Sequence, residues 1–77
     1  MQIAITDLKP GEVATIVALY GGYHFQHKLR TMGIREGKVI RVLARHPFGG
    51  PVVVEVDGHE ATIGRGMARR IVVQVEK

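Results

Sequence analysis

The segment Leu29-Arg30-Thr31-Met32-Gly33-Ile34-Arg35-Glu36-Gly37 constrains the fold of this chain more than any other. Gly33 falls where a helix has to stop, because a left-handed residue past the last turn costs glycine no Cβ clash. Ile34 then packs back on the helix just ended. Glu36-Gly37 turns the chain, and Lys38-Val39-Ile40-Arg41-Val42-Leu43 runs on as a strand. A helix end, a buried anchor, a tight turn and a β-branched strand in direct succession form the joint of a very small β-barrel. Nothing in the segment is catalytic, so it points to a docking module rather than an enzyme.

The chain has 77 residues, which reads as one domain over 1–77. A domain of this size buries only about 60–65% of its unfolded surface. There is no Cys to staple it or to bind a metal. Stability therefore rests on aliphatic packing, and a composition that is 45% hydrophobic, rich in Val and Ile and without Trp favours sheet. The longest apolar runs, such as Val13–Tyr20, fall well short of the ~20 residues that cross a bilayer. Asp7, Lys9, Pro10 and Glu12 interrupt the N-terminus and read against a signal peptide, so the expected location is cytoplasmic. A small, dense core leaves little room for a deep substrate pocket.

Along the chain, Thr6–Glu12 reads as a lead-in and turn punctuated by Pro10 and Gly11, with Leu8 capping the bottom of the barrel. Val13 to Tyr20 alternates poorly, which suits a strand covered on both faces. Gly21-Gly22 ends it. A short helix is expected over about 22–32, with Phe25, Leu29 and Met32 on one apolar face and His24, His27, Arg30 and Thr31 on the other. At that length the helix has to dock on the sheet to persist. Ile40, Val42 and Ala44 are expected on one face of the next strand, with Arg41 and Arg45 opposite. Pro47-Phe48-Gly49-Gly50 reads as a hairpin loop, Val52, Val54 and Val56 face inward, and Asp57-Gly58 is a strong two-residue hairpin signal. His59 to Ile63 returns as a strand, Gly64–Arg69 makes a short turn, and Ile71, Val73 and Val75 form the last strand. The expected architecture is mainly β: a small SH3-like barrel of five to six strands with one short α-helix, closed so that its edges are hidden. Ile16, Leu29, Ile34, Ile40, Val42, Val54, Ile63 and Ile71 are its expected core.

The order Leu8-x-Pro10-Gly11, Ile16 with Gly21-Gly22, Leu29-x-x-Met32-Gly33-Ile34-x-x-Gly37, Phe48-Gly49-Gly50-Pro51 and Ile63-Gly64 with Ala68-x-x-Ile71 resembles the FeoA family over essentially the whole chain. FeoA proteins are small cytosolic components of bacterial and archaeal ferrous iron transport. The same domain ends metal-dependent repressors similar to the diphtheria toxin repressor. This chain has no helix-turn-helix, which corresponds to the form without a DNA-binding domain. The resemblance implies an accessory protein that associates with the cytosolic part of FeoB, a membrane permease with a GTP-binding domain. It also implies a domain with a transition-metal connection, Fe²⁺ being the ion at issue, with no cofactor required.

His24 and His27 are i, i+3 on the helix and both imidazoles could reach one ion, although two His without a carboxylate or Cys make an incomplete site. In the related repressors the corresponding segment contributes ligands to a regulatory metal site. The bland reading, two solvated histidines, stands beside this one. His46 and His59 sit at strand ends, away from the helix in sequence. Gly21-Gly22 and Gly64-x-Gly66 read as turns, because no Lys-Ser/Thr follows either and no βαβ unit surrounds them. Catalysis finds no support: Ser and Cys are absent, and Asp7, Glu12, Glu36, Glu55, Asp57, Glu60 and Glu76 show no obvious pair.

The net charge of +4 permits an acidic partner or a nucleic acid. Lys28, Arg30, Arg35, Arg65, Arg69 and Arg70 would share one side if the last turn lies near the helix, and an RNA-binding module is the alternative reading. Base stacking, however, needs exposed aromatics, and this chain has few. Phe48, at a hairpin tip, either folds over the barrel end or anchors a partner. With Tyr20 and Tyr23 it could edge a groove for an extended peptide, with Arg65 and Arg69 steering an acidic face toward it.

Overall fold

A computed structural model describes residues 1–46 and 48–75. Pro47, which opens the expected hairpin loop, and Glu76, one of the carboxylates considered above, lie outside the described residues. The elements follow in the order β1 (Gln2–Ala4), a 3₁₀ turn (Ile5–Asp7), β2 (Val13–Leu19), α1 (Tyr23–Thr31), β3 (Val39–Arg45), β4 (Val52–Val56), β5 (His59–Ile63), α2 (Arg65–Ala68) and β6 (Ile71–Gln74). The strands form one six-stranded sheet in the order β1-β6-β2-β3-β4-β5. Every pair in it is antiparallel.

The joint is built as its residues dictate. Gly33 has φ +85°. Its N–H donates to the Arg30 carbonyl at 3.0 Å, and the Ile34 N–H donates to the Leu29 carbonyl at 2.9 Å. These two bonds define a Schellman motif, whose usual companion is an apolar contact across the helix end. Leu29 and Ile34 supply it, both fully buried. The turn is then tied to β2, because Gly37 N–H donates to the Ile16 carbonyl and Ile16 N–H to the Lys38 carbonyl. Arg30 and Glu36 close the outside as an ion pair at 3.1 Å.

Every residue expected in the core is buried to 1% exposure or less. The core also takes Ile5, Leu8, Leu19, Val52, Val73 and Ala68, with Phe25 of α1 and Met32, the residue that caps its C-terminus, packed against it. At the hairpin between β4 and β5, Asp57 and Gly58 both take positive φ, and Val56 pairs with His59, as a two-residue loop requires.

Three expectations are corrected. The sheet does not close: β1 and β5 are its edges. β1 is only three residues long and leaves the sheet in the 3₁₀ turn, so it has no length with which to reach β5. The gap is spanned by that turn meeting α2, with Ile5 and Ala68 both fully buried. Strand β2 is not covered on both faces, because Val13 and Thr15 are exposed. Its poor alternation comes from a β-bulge between Ile16 and Ala18, which shifts the inward phase from Ala14 and Ile16 to Leu19. A second bulge, between Val42 and Ala44, turns Ala44 out to solvent instead of leaving it in line with Ile40 and Val42.

Candidate partner-binding site

The two ends of the sheet carry different exposed groups. At one end, β2 runs into Tyr20, whose N–H donates to the Arg70 carbonyl at 2.8 Å, and then into α1. Gly22 is the N-cap residue of α1. Tyr20 and Tyr23 are 61% and 77% exposed. The Tyr23 ring lies nearly parallel to that of His27 at 6.0 Å between centroids and edge-on to that of His24 at 5.8 Å. The two histidines therefore share an exposed helix face with a tyrosine. Among the described residues no group of three or more His, Asp or Glu side chains converges as a metal site. Arg70 lies over the Phe25 ring at 5.3 Å, so the last turn does reach the helix.

The other end is where β3 runs out and β4 begins. Because β2 and β3 are antiparallel, with Thr15 opposite Val39, Tyr20 lies beyond the start of β3 and Phe48 follows its end. The aromatic pairs accordingly separate into Tyr23 with the two helix histidines and Phe48 with His46 at 6.2 Å. Phe48 does not fold over the sheet: it is 90% exposed, the most exposed of the large apolar side chains. Its N–H donates to His46 Nδ1 at 3.3 Å. Gly50 permits this tight return, because a Cβ there would lie 2.6 Å from the His46 Cβ.

Beside Phe48 lies a cleft of about 410 Å³ lined by Pro10, Arg45, His46 and Arg65. Next to it, sharing Arg45 and His46 as a wall, is a shallower depression of about 270 Å³ completed by Ala44, Pro51 and Val53. Three separate parts of the chain build the cleft. Hydrogen bonds between Gly11 and Val42 and between Val42 and Glu12 bring the turn at Pro10 against β3. Arg45 is held by a 2.7 Å bond from Nη1 to the Thr6 carbonyl. Arg65, at the start of α2, has its side chain against Gly49.

Among the described residues, no carboxylate lines either depression. Three of the acids elsewhere are engaged: Glu36 with Arg30, Asp57 with Lys38 at 2.9 Å, and Glu12 with the Lys9 N–H at 2.7 Å. The Lys38 ammonium, by its hydrogen bond and then its charge, holds the Asp57 carboxyl below the ordinary aspartate range.

The expected basic side thus divides. Arg70 lies at the helix, Arg30 is neutralised, and Arg65 belongs to the cleft. Arg69 is exposed beyond α2. Arg45, His46 and Pro10 were not foreseen as site residues. Arg45 was visible only as an outward strand residue, and its neighbours come from remote sequence. The single local signal was the basic pair Arg45-His46 running directly into a Pro-Phe-Gly-Gly tip.

This arrangement defines the molecule as a small SH3-like β domain with a helix packed against its core. The chain belongs to the FeoA family: the FeoA domain model matches residues 3–75. It is 32% identical over 66 residues to the "Putative Fe(2+) transport protein A" of Methanocaldococcus jannaschii, covering 86% of this chain and 78% of that protein. The crystal structure of an iron uptake regulatory protein, FeoA, superposes with a TM-score of 0.90 at 35% identity, covering 96% of this chain and 97% of the other. IdeR of T. acidophilum superposes with a TM-score of 0.87 at 30% identity over 97% of this chain, which spans 34% of that protein.

Proposed function

We propose that this protein is a non-enzymatic, cytoplasmic accessory component of ferrous iron transport that docks on the cytosolic part of a FeoB-type permease. Family membership supports the iron connection. The observation that carries docking is Phe48: a large apolar side chain 90% exposed at a tight tip, beside an open cleft. Rings in such positions dominate small interfaces once a partner buries them. No helix of the described chain is long and apolar enough to cross a membrane, so a membrane-bound partner would be met from the aqueous side.

The ferrous ion is cargo in this reading. Direct contact with it falls to His24 and His27, with water, a neighbouring chain or the permease completing the shell. Two imidazoles suit Fe²⁺, Zn²⁺ or Ni²⁺ better than Ca²⁺ or Mg²⁺, but give little chelate advantage. Calorimetric titration with Zn²⁺ should therefore show weak binding that fades in acid, since only neutral imidazole coordinates. The His24→Ala/His27→Ala double variant should show none. Identical heats in both proteins remove these histidines from the ion's path.

Docking is tested by retention of permease cytosolic fragments on the immobilised protein, beside a salt titration of RNA binding. Retention of the fragment is expected. Tight RNA binding with a steep salt slope, and no fragment retained, would establish the nucleic-acid reading in its place.

A further inference from the structure

We propose that the cleft of Pro10, Arg45, His46 and Arg65, together with the apolar depression of Ala44, Pro51 and Val53, is a two-part groove for an extended acidic segment of a partner protein. The partner rests on the reading above, but the groove and the chemistry of its occupant follow from the structure. Arg45 and Arg65 meet no carboxylate among the described residues, whereas Arg30 and Lys38 each have one. A guanidinium presents five N–H donors in a planar fork that matches a carboxylate in bidentate fashion. The Thr6 carbonyl takes one contact from Arg45 and fixes the side chain, leaving its other donors for a ligand. Less ordering is then needed when a carboxylate arrives.

The neighbouring depression selects against a bare anion. Ala44, Pro51 and Val53 offer it apolar surface, and Arg45 and His46 form the wall common to both parts. An extended peptide turns neighbouring side chains to opposite sides, so an acidic residue and the apolar residue next to it reach to the two sides of that wall, as Arg45 with Val52 and Ala44 with Val53 alternate along the strands below. Such a segment fills both parts at once, beside Phe48, whose ring lies 6.2 Å from that of His46 in the common wall.

A nucleic acid fits less well. A phosphate backbone has nothing to place in the apolar part, and Phe48 lacks a second exposed ring in sequence with it, since Tyr20 and Tyr23 occupy the other end of β2. The bulge at Leu43 takes part as well. It turns Ala44 outward, and without it the depression would lack its floor.

The test is fluorescence anisotropy of the full chain with a labelled peptide of alternating Glu and Leu. The comparators are a Gln/Leu peptide, a single-stranded RNA oligonucleotide and inorganic phosphate as competitor. The Glu/Leu peptide should bind at least about tenfold tighter than the Gln/Leu peptide. Arg65→Glu should lower its affinity by a similar factor with the melting temperature unchanged, because Arg65 is exposed. Phe48→Ser, which disturbs no packing, should lower the affinity of both peptides. Equal binding of the Glu and Gln peptides, indifference to Arg65→Glu, or Arg65-dependent RNA binding without peptide binding would each overturn the proposal. The permease fragment separates the two readings. If it is retained equally by wild type and Arg65→Glu, the groove is wrong and the docking stands. If wild type does not retain it while the peptide binds through Arg65, the groove stands and the partner is different.

Discussion

The helix-to-strand joint at Leu29–Gly37 and the cleft end around Phe48 are both turns feeding strands, yet their interaction capacity is used in opposite ways. At the joint the backbone donors at the helix end are paired, the apolar side chains are buried, and the exposed charges Arg30 and Glu36 neutralise each other. At the cleft end a phenylalanine faces solvent and two arginines line a hollow without a carboxylate. The joint holds the domain together. The cleft end contributes little to folding and keeps its interactions for something else. Substitutions that separate stability from binding are the means to break or sharpen that contrast.

The largest expected effect lies at the joint. Leu29→Ala empties a fully buried site between α1 and the sheet and should cost about 3 kcal/mol. In a domain of this size that lowers the melting temperature by roughly 12–24 °C. Urea titration measures it directly. A loss below about 1 kcal/mol would show that the helix is not anchored as described.

Gly33→Ala comes next. It removes no packing and leaves open space for the new methyl group, but places a Cβ at φ +85°. A left-handed alanine costs about 1–2 kcal/mol, and the same titration should find that loss. Crystallography or amide exchange would show whether the Ile34–Leu29 hydrogen bond survives.

Phe48→Ala reverses the pattern. Stability should stay within about 0.5 kcal/mol of wild type, because the ring is 90% exposed. Retention of the permease fragment should fall by about tenfold or more, equivalent to at least ~1.4 kcal/mol of binding. A marked fall in melting temperature with binding unchanged would mean that Phe48 belongs to the fold after all.

The same contrast explains what the sequence made legible. The joint is local: Gly33 follows the helical face directly, Ile34 follows Gly33, and a left-handed cap has few solutions. The hairpin at Asp57-Gly58 and the inward Val52, Val54 and Val56 were equally local. The bulges were hidden because Val17 and Leu43 are apolar, so an added residue blurs the alternation without leaving a polar mark. Strand β1 is too short to display a period, and with it went the evidence that the sheet stays open. The cleft is assembled from Pro10, Arg45 and Arg65, which come from three remote parts of the chain, and of these only Arg65 stood out in the sequence. Phe48 was the clearest mark of that end of the molecule, because a large apolar residue between Pro47 and two glycines has little of its own chain to pack against.

The smallest expected effect tests whether an engaged surface charge contributes to folding at all. Lys38, just after the joint, reaches Asp57 in the β4–β5 hairpin at 2.9 Å, and both side chains are substantially exposed. The hydrogen bond and charge of Lys38 lower the Asp57 pKa beneath its ordinary value of 3.8. A carboxyl with a depressed folded pKa binds fewer protons in the folded than in the unfolded state. Its stabilisation is therefore present above the unfolded value and is lost as pH falls through the folded one. Asp57→Asn removes the charge while keeping a residue type that tolerates φ +53° in a two-residue hairpin. Unfolding free energy measured across the acid limb should fall less steeply below pH 3.8 for Asp57→Asn than for wild type. Lys38→Gln should flatten the limb in the same way, the double variant should add nothing further, and high salt should abolish the difference because the pair is open to solvent. Parallel acid limbs in all the proteins would show that this bridge, unlike the apolar and hydrogen-bonded parts of the joint, contributes nothing to holding the strands together.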